Sequence, residues 1–146
     1  MSSLSEGVAW VRKAFDCLLH GQPPQVAPTR GARAEMLAER ELRTHGARIL
    51  ARNARYRGGE IDLIAEHEGC IAFVEVRLRS RTDYGGAAAS ITIAKQRRIV
   101  LAARHWLRDA GQMHRHKPCR FDAMLYDSLD ENHVEWLRSA FDARTS

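Results

Sequence analysis

Between Ala32 and His45 the apolar residues Ala34, Leu37, Ala38 and Leu42 recur at three-and-four spacing, which predicts a helix closed by Gly46. Ile49 to Arg55 alternates weakly and predicts a first strand, with Arg57-Gly58-Gly59 forming a hairpin or bulge. A second strand follows from Glu60 to about Glu66. After a turn at Gly69, Cys70 to Arg79 predicts a third. In that third strand Ala72, Val74, Val76 and Leu78 make one face apolar throughout. On the other face Ile71 and Phe73 give way to Glu75, Arg77 and Arg79, so that side turns from core to charge partway along.

A connection from Arg81 to Ser90 contains Gly85-Gly86 and leads to a helix capped by Ser90 or Thr92, with Ile99, Ala103, Trp106 and Ala110 as its buried stripe. Cys119 to Tyr126 predicts a fourth strand, and His133 to Leu137 a short fifth before a small terminal helix. Ahead of all this, Val8, Val11, Phe15 and Leu18 form a leading helical stripe stopped by Gly21 and Pro23-Pro24. Residues 1–29 therefore read as a helix and proline-containing linker, and 30–146 as one α/β domain. The leading stripe is expected to pack on that domain, with a twin subunit or another partner as alternatives.

A chain of 146 residues, 45% hydrophobic, has room for one ordinary core. Lys and Arg exceed Asp and Glu by 23 to 18, and the resulting +5 charge favours polyanionic partners. Cys17, Cys70 and Cys119 offer neither zinc-site spacing nor an even disulfide set, which predicts reduced thiols and a cytoplasmic location. Glu6, Arg12, Lys13 and Asp16 interrupt the leading stretch, unlike a signal peptide, and no later run is long enough to span a bilayer.

The chemistry concentrates in two predicted strands, Gly58 to Ile64 and Phe73 to Arg79. Both place acids among apolar neighbours, where a carboxylate is costly unless a cation offsets it, so Asp62 and Glu75 together suggest a site for Mg²⁺ or Mn²⁺. Glu60 shares a face with Asp62, and Arg77 shares one with Glu75; register decides whether the two faces converge. Glu35 lies at the edge of its helix's core-facing side. The residue four places on is Glu39, a like charge, so a strong cationic partner for Glu35 must come from elsewhere in the fold.

The ordered set Gly58–Glu66, Phe73–Arg79, Gly85–Ser90, Lys95-Gln96 and Arg120-Phe121-Asp122 resembles the YraN-like family, widespread in bacteria, from about Gly31 to the C-terminus. The resemblance implies a restriction-endonuclease-like α/β core, a mixed sheet of four to five strands flanked by helices, similar to archaeal Holliday-junction resolvases. It also implies Asp62 and Glu75 as metal ligands, with Glu35 supporting them from its helix. Arg77 stands where the nuclease pattern has lysine. A guanidinium cannot act as a general base, yet it can clamp a phosphate bidentately and stabilise developing charge. A homodimer is the assembly this resemblance implies, because a branched substrate presents two strands to cut.

Arg79, Arg81, Lys95, Arg98 and Arg120 are the residues expected to follow a nucleic-acid backbone, while Arg97 and Arg98 are equally well read as part of a solvated face. His114 and His116 belong to a basic surface loop, and Trp10, Trp106 and Trp136 to the core or a docking contact. Two functions stand side by side: a metal-dependent endodeoxyribonuclease acting on branched or structured DNA, and a catalytically silent nucleic-acid-binding or adaptor module. A third, a protein-interaction domain, would be favoured by absence of DNA binding at low salt.

Overall fold

The computed structural model describes residues 26–79, 91–127 and 134–145. The leading helix expected over 4–19, the first half of the linker expected over 22–29, and the connection carrying Arg81 lie outside the described residues. The elements are α1 (Arg30–Thr44), β1 (Arg48–Tyr56), β2 (Gly59–His67), β3 (Cys70–Leu78), α2 (Ile93–Arg108), β4 (Cys119–Tyr126) and β5 (Val134–Phe141), with short 3-10 turns at Gln112–His114 and Ala143–Thr145. This is the expected α/β architecture. A five-stranded mixed sheet, in the order β1-β2-β3-β4-β5, lies between two helices.

Helix α1 begins where the Thr29 side chain accepts from the Ala32 N–H at 3.2 Å. It ends in a Schellman turn: the Gly46 N–H donates to the Arg43 carbonyl at 3.0 Å and the Ala47 N–H to the Leu42 carbonyl at 2.9 Å. Gly46 takes φ of 82°, the left-handed value that this turn needs. The buried Ala34, Ala38 and Leu42 press on one sheet face with Leu63, Ala65, Ala72, Val74, Met124 and Tyr126. Small residues on the helix allow that close approach.

Thr92, rather than Ser90, caps α2 by accepting from the Lys95 N–H at 3.2 Å. This helix covers the opposite face, burying Ile99, Val100, Ala102, Ala103 and Trp106 against Ile64, Ile71, Phe73, Phe121 and Leu125. Ala110, expected in the buried stripe, is exposed and lies beyond the helix, which ends at Arg108. The helix is the crossover that makes β3 and β4 parallel, with Glu75 opposite Ala123. Strand β5 runs on to Phe141, past the predicted end at Leu137, because an irregularity opposite Phe121/Ala123 lets pairing resume at Phe141. A 3-10 turn takes the place of the expected terminal helix.

Gly59 locks the two layers together. A Cβ there would stand 2.1 Å from the Arg98 carbonyl oxygen of α2, so β2 and the helix backbone touch directly. Gly59→Ala is expected to destabilise the fold by about 1–3 kcal/mol, the usual cost of forcing extra volume into a packed contact. An unchanged urea midpoint would refute this. Among the described residues no helix is long and apolar enough to cross a membrane.

Candidate functional site

Strands β2 and β3 pair antiparallel from His67↔Cys70 up to Leu63↔Val74, and there the ladder stops. Beyond that point the strands part: Glu60 and Ile61 continue against β1, while Glu75 to Leu78 continue against β4. Asp62 and Glu75 are the next residues after the last matched pair. The Asp62 side chain spans the opening, its Oδ2 accepting the Val76 N–H at 2.8 Å in place of a backbone carbonyl. Both acids are buried, at 8% and 5% exposure. Register thus brings together the two carboxylates singled out from sequence.

Their electrostatics follow from that placement. Burial pushes the Asp62 carboxyl above its usual range, and the charges of Glu35 and Glu60 push the same way, against the Val76 N–H and Lys95. Burial and then the charge of Asp62 drive Glu75 up to about 7, with Lys95 and Arg77 opposing. Lys95, from the first turn of α2, places its Nζ 3.3 Å from Glu75 Oε1. Glu75 Oε2 is buried and has no hydrogen-bond partner among the described residues. Such hard oxygens, one of them unsatisfied, form a donor set of the kind that magnesium-class cations take with only one or two protein carboxylates. Among the described residues, no group of three or more His, Cys, Asp or Glu side chains is assembled to hold a metal. Glu35, half-buried on α1, thus reaches the pair through its charge on Asp62.

The basic residues divide by location. Arg98 is exposed on α2 beside the hairpin that carries Gly59, and Arg77, half-buried, bears electrostatically on Glu75. Arg79 pairs with Glu135 and lies 3.5 Å from Asp127, at the far end of β3. Arg120 points inward: its Nε donates to both Asp122 oxygens at 3.0 and 3.1 Å, and its Nη2 to His67 Nδ1 at 2.9 Å. Because arginine only donates, His67 carries its proton on Nε2 and gives it to the His45 carbonyl at 3.0 Å. Asp122 also accepts from Trp136 Nε1 at 3.1 Å and the Ser139 N–H at 3.0 Å. This polar cluster lay hidden in the sequence, because period-two patterning places Asp122 on a face without showing what meets it there. Lys95 was legible as a basic residue but not as the partner of Glu75, since nothing in the sequence fixes where α2 starts over the sheet.

A family model described as "Uncharacterised protein family UPF0102" matches residues 34–125, a span that takes in Glu35, Asp62, Glu75, Lys95 and Asp122. Similar proteins are a "UPF0102 protein" of Methylobacillus flagellatus, 49% identical over 77% of this chain and 96% of that one, and another from Cupriavidus taiwanensis, 52% identical over 78% and 83%. A third, from Aeromonas hydrophila, is 45% identical over 79% of this chain and 86% of its own. The leading residues fall outside the matched span.

Proposed function

The chain belongs to the uncharacterised protein family UPF0102, and from that footing we propose that it binds DNA and hydrolyses its phosphodiester bonds with Mg²⁺ or Mn²⁺ held by Asp62 and Glu75. The observation that carries this reading is the buried carboxylate pair at the parting of β2 and β3, with one oxygen left unsatisfied among the described residues. Lys95 supplies the buried pair with one positive charge, so a second cation would offset what remains when both acids are ionised. The bound ion would lower the pKa of an attacking water and offset charge on the phosphate.

The chain's own residues set the geometry. Val76 holds one oxygen of Asp62 and leaves the other to the site. Glu75 faces it from the neighbouring strand, and Glu35 adds negative charge that favours a divalent over a monovalent cation. Arg77 offers a fork of donors to a phosphate, and with its fixed charge it takes no proton from water. Lys95 and Arg98 on α2 extend the positive rim. Arg79 and Arg120, committed to Glu135, Asp127, Asp122 and His67, are left out of this contact set. Structured or branched DNA is the preferred substrate on this reading, in the cytoplasm, with a homodimer as the assembly that cuts two strands.

Calorimetry with Mg²⁺ and Mn²⁺, followed by incubation with junction, flap, single-stranded and duplex DNA, tests the proposal. Uptake and cleavage are expected in the wild type and are expected to be lost in Asp62→Ala. Affinity for the ion is expected to weaken as pH falls through about 7, because Glu75 then holds a proton that the ion must displace. Equal cleavage by Asp62→Ala would remove the catalytic assignment. The arginine at position 77 supports a second reading, a silent DNA-binding module; it predicts salt-dependent DNA binding with no ion uptake that depends on Asp62.

A further inference from the structure

Lys95 stands where it can change what the acid pair does. Its Nζ meets Glu75 Oε1 at 3.3 Å, its side chain is 30% exposed, and that of Glu75 is 7% exposed. The lysine therefore reaches inward from the rim to one oxygen of the carboxylate whose other oxygen, Oε2, would face a divalent ion, so two cations would compete for one acid. Its base is fixed: the Lys95 N–H donates to Thr92 Oγ1, and one turn on, the Arg98 carbonyl abuts Gly59. Only the four-carbon stem is free to swing, and an ammonium is a compact charge that can exchange one anionic partner for another.

We infer that Lys95 is the exchangeable counter-cation of the site: it neutralises Glu75 while no metal is bound, yields that carboxylate when a divalent ion enters, and then presents its ammonium to the DNA phosphate. The inference rests on the metal-binding reading above. Its consequence is a pair of opposite effects from one substitution. In Lys95→Met the competitor for Glu75 is gone, so the ion binds more tightly. The phosphate contact is gone too, but that loss shows only when an ion has first released the lysine.

The test measures Mn²⁺ binding by calorimetry in the wild type, Asp62→Ala and Lys95→Met, and the binding of a duplex oligonucleotide with and without Ca²⁺ as a hard divalent probe. Lys95→Met is expected to bind Mn²⁺ about tenfold more tightly, because a unit charge at contact distance from the ligand has been removed. Its DNA affinity is expected to fall about three- to tenfold in Ca²⁺ and to stay within about twofold of wild type in chelator. If the wild type takes up no Mn²⁺, or Asp62→Ala takes up as much, the metal-binding reading itself fails. If uptake depends on Asp62 but Lys95→Met binds Mn²⁺ no more tightly, or loses DNA affinity equally with and without Ca²⁺, the exchange alone is overturned.

Discussion

Asp122→Ala is expected to destabilise the protein by about 3–5 kcal/mol, the cost of removing one partner from a buried ion pair and leaving the other behind. Asp122 is fully buried, and its loss strips the acceptor from Arg120, from the Trp136 indole and from the Ser139 N–H at once. The Arg120 side chain is only 12% exposed, so water cannot replace the missing carboxylate. Urea unfolding of Asp122→Ala beside Asp122→Asn checks this: the asparagine keeps one acceptor and should lose less. A midpoint for the alanine variant indistinguishable from wild type would mean that the cluster contributes nothing to folding.

Glu75→Gln is expected to do the opposite at alkaline pH. The Glu75 carboxyl titrates at about 7 in the folded protein against a reference of 4.5, so the native state holds its proton more tightly than the unfolded chain does. Stability from this group is therefore fully present below about 4.5 and is lost as pH rises to about 7. Above that, the native state carries an ionised acid in a place that disfavours it. Glutamine removes the charge, and at pH 8 the variant should be more stable by on the order of 2 kcal/mol, with little difference at pH 5. On the proposed metal-binding reading it should also lose ion uptake. Equal destabilisation at both pH values would show that Glu75 contributes to packing rather than opposing it.

Much of this was readable from residue order. The strand pattern of Gly59–His67 and Cys70–Leu78, and the change from apolar to charged residues at Glu75, follow from period two, and they locate the acids on facing strands. The same rule could not show that the ladder ends at Leu63↔Val74, because that depends on Asp62 capturing the Val76 N–H. Arg120 and Lys95 exemplify a different limit. Both are basic residues near strand or helix ends, yet one is drawn into the interior by Asp122 and the other to Glu75, choices made by partners more than 15 positions away or by a neighbour two positions along the same strand. Ala110 failed as a core residue because Asp109 already caps α2.

The parting of β2 from β3 leaves a gap inside the sheet rather than at its rim, wedged open by a side chain. A branched apolar residue at position 62 would let the two strands zip further, giving a more regular and sturdier hairpin with nothing left to bind. On the proposed metal-dependent reading, loss of chemistry by that route would accompany a gain in robustness, and descendants that had abandoned it would be recognisable by a healed seam.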